Sequence, residues 1–126
     1  MDILISNANP KPIYEQITEQ IKAKILSGEL PQGSALPSMR LLAKELRISV
    51  ITTKRAYAEL ESAGLIQTVA GKGCFVAGAN LELIREEHLR QAEAYMAQAV
   101  ALAKQSGVSL EEFQQIVTLL YEGESI

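Results

Sequence analysis

Small hydroxyl side chains and cations cluster in one short stretch of the chain, and their types suit contact with a polyanion. Thr52, Lys54 and Arg55 all fall between residues 52 and 55. Hydroxyls and cations of this kind hydrogen-bond to phosphate oxygens and to the edges of bases. The stretch therefore indicates recognition of a nucleic acid.

Two neighbouring stretches carry the same chemistry. Arg40 comes early in a predicted helix and can reach a phosphate or a guanine edge, while Ser38 and the free amides at that helix start can bind a phosphate oxygen. Lys72 stands between Gly71 and Gly73, which lets the backbone approach a groove closely while offering one cation to it. We expect these residues to set the docking of the protein.

The sequence gives little support for catalysis or for metal binding. Cys74 and His88 are the single cysteine and the single histidine, so no Cys/His cluster with metal-ligand spacing exists. The Gly71–Gly73 stretch lacks both phosphate-loop spacings and joins two predicted strands. We predict no enzyme activity, no catalytic residue, no cofactor and no metal. Cys74 is most simply a packing residue and His88 a core or interface histidine, with redox sensing and ligand contact as lesser alternatives.

Helices must position these side chains. Isoleucines at every fourth position predict an amphipathic helix over residues 11–28, with Pro12 in its first turn. Ser38 and Ser49 are good N-caps for helices 39–46 and 50–63, which together outline a helix-turn-helix. At 100° per residue, the second of these helices turns Ile51, Lys54 and Arg55 away from the side that packs on the core. Residues 65–69 and 74–76 predict a hairpin whose tip is basic and rich in glycine.

A long helical pattern follows over residues 81–105, and Ser109 with Glu112 predicts the start of one more helix. Two helices alone cannot bury their apolar stripe, so we expect self-association about a two-fold axis. The residues expected at this dimer interface are Leu81, Ile84, Ala92, Tyr95, Met96, Ala99, Phe113, Val117 and Leu120.

Charge divides the chain in the same way. Among its 126 residues the net charge is −3, with nine Lys/Arg against seven Asp/Glu in residues 1–78 and three against eight in residues 79–126. Phosphates would repel the acidic tail, so a DNA surface belongs to the first part. No apolar run is long enough to span a membrane and no secretion signal is present, so we expect a cytoplasmic protein with no membrane partner.

Three stretches of the sequence resemble a known family. LPSMRLLAKEL, TTKRAYAELESAGLI and AGKGCFV are similar to the winged-helix domain of the GntR family of bacterial transcription factors, over roughly residues 10–78. The short two-helix tail and the RAYAELE segment resemble the YtrA subfamily. That resemblance implies a homodimer that binds a palindromic operator in double-stranded DNA and represses its own operon and neighbouring ABC-transporter genes.

The fold implied is mostly α with a small β-hairpin wing (α+β), with a winged helix-turn-helix DNA-binding domain in residues 1–78 and a two-helix dimerisation domain in residues 79–126. By position, the resemblance implies DNA contacts from Arg40, Ser49, Thr52, Lys54 and the Gly71–Lys72–Gly73 tip, and Arg55 is expected to join them.

The chain departs from the family pattern at three positions. Cys74 replaces a common hydroxyl residue, and Val50 and Ile51 stand where polar residues are frequent, which favours contact with thymine methyl groups over hydrogen-bond readout. Two other classes stay open. A ligand-responsive sensor would bind a small-molecule effector in its tail, and a protein-interaction module would not bind DNA at all.

Overall fold

The computed structural model describes residues 1–78 and 81–123, and it divides into two compact units, Met1–Arg85 and Glu86–Ile126. We call the first unit the head and the second the tail. The elements in chain order are α1 (Ile13–Leu26), α2 (Met39–Leu46), α3 (Val50–Ser62), β1 (Ile66–Val69), β2 (Gly73–Val76), α4 (Leu81–Gln105) and α5 (Leu110–Tyr121). The predicted fold class, mostly α with a β-hairpin wing and a helical tail, is confirmed.

Helix α1 supplies one wall of the head's core. Ile17, Ile21 and Ile25 follow one another at intervals of four residues and are all buried, as the amphipathic pattern predicts. Pro12 is the N-cap and stands just before the helix, where the sequence pattern had placed it in the first turn. Its ring fixes φ at −56° and prepares the chain to enter the helix.

Helices α2 and α3 form the helix-turn-helix, and both begin at a serine cap. The Ser38 hydroxyl accepts a hydrogen bond from the Leu41 N–H, and the Ser49 hydroxyl accepts one from the Ile51 N–H. Each cap satisfies an amide that the first turn of a helix leaves without a partner. Between the helices, Arg47 ends α2 in the left-handed region at φ 57°.

The predicted hairpin forms the wing. Strands β1 and β2 pair antiparallel, with Ile66 opposite Val76 and Val69 opposite Gly73. A short segment before α2 adds to the other edge of β2, where Ala35 pairs with Phe75. Because Leu36 and Val76 are buried on this small sheet, the sheet is anchored to the head's core.

An extended arm precedes α1 and is held by two glutamine side chains. Gln20 accepts a hydrogen bond from the Leu4 N–H at 2.8 Å and donates one to the Leu4 carbonyl, and Gln16 does the same for Ser6 at 3.0 Å in each direction. The amides thus pair with the arm as a neighbouring strand would. Ile3, which belongs to the arm, is buried in the head's core.

The tail contains most of α4, the turn at Gly107 and α5. Ser109 caps α5 by accepting from the Glu112 N–H at 3.1 Å, at the position the sequence predicts. Helix α4 begins in the head, where Leu81 and Ile84 pack against the core. The compact head therefore extends to Arg85, beyond the glycine at residue 78 that marks the predicted boundary.

No helix within residues 1–78 and 81–123 combines the length and the apolar character needed to cross a membrane.

Candidate nucleic-acid interface

Helix α3 has one buried side and one exposed cationic side. Thr53 and Leu60 are fully buried, whereas Lys54 and Arg55 are exposed. Ile51 is 78% exposed and points opposite to the core side, as the helical geometry predicts. The exposed side lies at the start of the helix, which is the part that a recognition helix presents to the major groove.

Two hydroxyl groups fix the start of α2 against α3. Thr53 donates a hydrogen bond to the Met39 carbonyl at 3.0 Å, and Tyr57 donates one to the Pro37 carbonyl at 2.7 Å. Burial raises the pKa of Tyr57 well above its usual value, so the phenol keeps its proton and remains a donor. These two bonds fix the backbone on either side of Ser38. They therefore fix the position from which the Arg40 side chain extends into solvent.

Arg55 is held by an aromatic ring on another helix. Its guanidinium carbon lies 3.8 Å from the centroid of the Tyr14 ring on α1, and it donates a hydrogen bond to the Tyr14 hydroxyl at 3.1 Å. A stacked guanidinium keeps most of its N–H donors available. Arg55 is therefore a positioned cation, although sequence reasoning did not identify Tyr14 as its partner.

The start of α2 and the wing line one open cleft of about 540 Å³. Ser38, Met39 and Arg40 contribute from α2, and the residues from Thr68 to Cys74 contribute from the hairpin. The structure thus brings together Ser38, Arg40, Gly71, Lys72 and Gly73, all of which were predicted as DNA contacts. Ser49 and Thr52 belong to the start of α3 and are not among the residues that line this cleft.

The wing tip is a tight turn that needs its glycines. Gly71 has φ 76° and Gly73 has φ 112°, in the left-handed region that side chains disfavour. The Lys72 N–H donates to the Val69 carbonyl at 2.9 Å and closes the turn, which leaves the Lys72 side chain exposed.

A polar chain at the base ties the wing to α3. Thr68 donates a hydrogen bond to the Glu61 carboxylate at 3.1 Å and lies 3.4 Å from the Cys74 sulfur. Cys74 itself is buried, in accord with a packing role.

Two of the serine hydroxyls that are predicted to contact DNA also cap helices. The oxygens of Ser38 and Ser49 accept cap hydrogen bonds, but each hydroxyl keeps a proton that it can donate to a phosphate oxygen. Thr52 is half-buried on the flank of α3.

The cations of this surface do not enter ion pairs. Within residues 1–78 and 81–123, the ion pairs are Lys11–Glu19, Lys24–Glu29 and Arg90–Glu87, all outside the cleft and the exposed side of α3. Arg40, Lys54 and Lys72 are exposed. Their full charge is available to a polyanion.

Sequence reasoning missed one further exposed cation, Arg47, in the turn of the helix-turn-helix. Its left-handed φ of 57° costs about 1 kcal/mol or more, and such positions usually hold glycine or asparagine. The signal that could have identified it is its place just after a predicted helix end.

The predicted dimer residues fall into two groups. Leu81 and Ile84 are half-buried against the head's core, and Phe113 is half-buried beside Val100 and Ala103 in the tail. The other six are exposed: Ala92, Tyr95, Met96, Ala99, Val117 and Leu120. His88 is half-buried. In the described residues of α4 and α5, no side chain is buried.

Comparison with known proteins gives consistent matches. Residues 13–76 match the model of bacterial regulatory proteins of the gntR family. The transcriptional repressor YtrA of Bacillus subtilis is 33% identical over 113 residues, which are 90% of this chain and 87% of that protein.

Solved structures agree with this. A transcriptional regulator from Oenococcus oeni superposes with a TM-score of 0.71 at 30% identity, covering 93% of this chain and 97% of the other. The DNA-binding domain of AraR in complex with its operator ORX1 superposes with a TM-score of 0.54 at 29% identity, over 61% of this chain and 96% of that one.

Proposed function

The chain belongs to the GntR family of bacterial regulatory proteins, which are transcription regulators and not enzymes, and from this premise we propose that it is a homodimeric repressor of transcription. Each protomer of the dimer would bind one half of a palindromic operator in double-stranded DNA.

One observation carries the proposal: the cleft between α2 and the wing adjoins a recognition helix whose exposed side is cationic. Ser38, Arg40 and Lys72 line the cleft, and Lys54 and Arg55 extend from α3. Five N–H donors on each arginine and three on each lysine suit phosphate oxygens and the acceptor-rich edge of guanine. Within residues 1–78 and 81–123, the cations of this surface take part in none of the ion pairs, which supports the same use.

In the proposed complex, the start of α3 enters the major groove. Arg40, Arg55 and the Ser49 hydroxyl contact phosphates or base edges, and Thr52 and Lys54 read or flank the bases. The Gly71–Lys72–Gly73 tip approaches the adjacent minor groove, since glycine allows close approach of the backbone. Phosphate contacts fix the register, and base contacts provide the specificity.

Exposed apolar residues in the tail support the proposal of a dimer. Tyr95 is 72% exposed, Met96 53% and Leu120 63%, so a large apolar surface lacks cover within one tail. The acidic tail would be repelled by DNA, and we propose that a second copy of the chain covers this surface. A two-fold dimer would place two recognition helices about 34–36 Å apart, in successive major grooves.

The similarity to known regulators supports a proposal for the direction of regulation and for the target genes. The similar Bacillus subtilis protein bears the name of a repressor. We propose that this chain acts in the cytoplasm, binds over a promoter and blocks polymerase there. Its resemblance to the YtrA group favours its own operon and adjacent ABC-transporter genes as targets.

An effector-binding sensor is less well supported. The cavity beside Phe113, between the end of α4 and the start of α5, holds about 100 Å³, and the larger hollow of about 610 Å³ along α5 is an open surface that encloses nothing. Sites for small molecules usually enclose about 300–1,000 Å³. Thermal shift with candidate metabolites tests this alternative, because a ligand that binds the folded state raises the melting temperature.

The first test is binding of the full chain to its own upstream promoter DNA, against scrambled DNA of equal length, at two salt concentrations. We expect a preference of about 10³ or more for the promoter, and affinity for both that falls as salt rises. Equal affinity for both DNAs would contradict an operator at that promoter, and no binding to either would favour the protein-interaction module.

Matched variants then locate the surface. Arg40→Ala and Lys54→Ala should each weaken operator binding by about tenfold and lower the slope of log affinity against log salt by about 1 if a phosphate contact is lost. Lys22→Ala, on α1, is the control and should change neither quantity. Unchanged affinity in both Arg40→Ala and Lys54→Ala would refute the assigned interface.

A further inference from the structure

An exposed isoleucine lies in the middle of the cationic surface. Ile51, the second residue of α3, is 78% exposed, and its neighbour Val50 is 41% exposed. A single exposed aliphatic residue is ordinary on a protein surface. Ile51 is different because it points opposite to the core from the first turn of α3, the helix that the proposed complex places in the major groove.

The groups around Ile51 are otherwise suited to hydrogen bonding and charge. Lys54 and Arg55 share its side of α3, because they follow it by three and four residues. The backbone N–H of Ile51 is already bonded to the Ser49 hydroxyl at 3.1 Å. At Ile51 itself, the protein therefore offers an apolar side chain, and the backbone N–H of this residue is already used.

The major groove holds one apolar group among the four standard bases, the C5-methyl of thymine. We propose that Ile51 reads the methyl group of one thymine in each operator half-site, and that this contact contributes to sequence preference. The inference rests on the proposed function, since it names the base feature recognised by the same interface. The surrounding cations bind the phosphates and thereby keep the Ile51 side chain in contact with the base edges of the major groove.

The size of the effect follows from the burial of one methyl group. Removing that methyl should weaken binding about fourfold for one half-site and about 15-fold when both half-sites are changed. The salt dependence should not change, because no phosphate contact is lost.

The test uses the full chain and the operator located by promoter binding. Each thymine of the duplex is replaced in turn by deoxyuridine, which lacks only the C5-methyl, and the Kd is measured for the wild type and for Ile51→Ala. Leu4→Ala is the control variant, because Leu4 is an aliphatic residue 82% exposed on the N-terminal arm.

We expect one symmetry-related pair of thymines at which the wild type and Leu4→Ala lose affinity on replacement, while Ile51→Ala binds both duplexes equally. If the wild type binds its operator specifically but tolerates deoxyuridine at every position, the Ile51 contact is refuted and the repressor assignment stands. If Ile51→Ala keeps the full preference for thymine, another side chain reads the methyl. If the wild type shows no specific operator binding, both proposals fail together.

Discussion

The head and the tail contain similar proportions of apolar residues but use them in opposite ways. In the head, fifteen hydrophobic residues from Ile3 to Ala77 are buried. In the tail, the described helices bury none, and Tyr121 is 93% exposed. The difference indicates that the head has a core of its own, whereas the proposed dimer would supply the cover that the tail helices lack.

Truncation tests this contrast most strongly. A chain ending at Arg85 should remain folded, become monomeric and lose about 100-fold or more in operator affinity, because two linked half-site contacts become independent. Analytical ultracentrifugation, circular dichroism and operator titration measure the three properties. A chain ending at Gly78 is the comparison and should be less stable, since it lacks Leu81 and Ile84. A dimer that persists in the 1–85 chain would place the interface in the head.

Replacing one leucine by alanine in the head and one in the tail compares how the two regions are stabilised. Leu60→Ala removes a fully buried side chain and should lower the free energy of unfolding by about 2–5 kcal/mol at any protein concentration. Leu120→Ala removes a side chain that is 63% exposed, and its effect should appear only through a weaker dimer. Urea unfolding at two protein concentrations separates the cases. An equal, concentration-independent loss in both variants would show that the tail has a core of its own.

Replacing a buried threonine in the head's core should lower the free energy of unfolding by less than Leu60→Ala does. Thr53→Val keeps the shape of the side chain but removes the hydroxyl that donates to the Met39 carbonyl, and we expect a loss of about 1–3 kcal/mol in unfolding free energy. Operator affinity should fall as well, because the start of α2 loses one of its two ties to α3. Thr118→Val in the tail, where the hydroxyl bonds only within its own helix, is the control and should change stability little. Equal effects at the two threonines would argue against the positioning role.

The smallest effect is expected at Arg47. Arg47→Gly should raise the unfolding free energy by up to about 1 kcal/mol, because glycine adopts φ 57° without strain, while a lost phosphate contact weakens operator binding. Arg47→Ala is the matched variant, which removes the same charge and keeps the strain. If both variants bind the operator as the wild type does, Arg47 has no part in DNA contact.

Local signals in the sequence predict most of the fold. Ser38, Ser49 and Ser109 cap helices at the predicted positions, because a cap depends on residues only two or three places away. The glycines of the wing tip predict the hairpin for the same reason. The resemblance of three sequence stretches to the GntR family identified the domain as a winged helix.

Contacts between distant residues were not predictable in this way. Tyr57 pairs with Pro37, Arg55 with Tyr14, and Gln20 with Leu4, and each pair is separated by 16 or more positions in the chain. A polar residue on a buried stripe indicates that some partner exists, but not which one. Glycine and asparagine predict a domain boundary after residue 78, whereas the packing of Leu81 and Ile84 against the head's core depends on partners elsewhere in the chain.

The position of Cys74 has a practical consequence. It is the single thiol of the chain, and it lines the same cleft as Arg40 and Lys72 while remaining 8% exposed. Slow alkylation of this sulfur would report opening at the base of the wing. Bound DNA that covers the cleft would slow the reaction further, so mass spectrometry of the unmodified protein could follow occupancy of the operator without any introduced label.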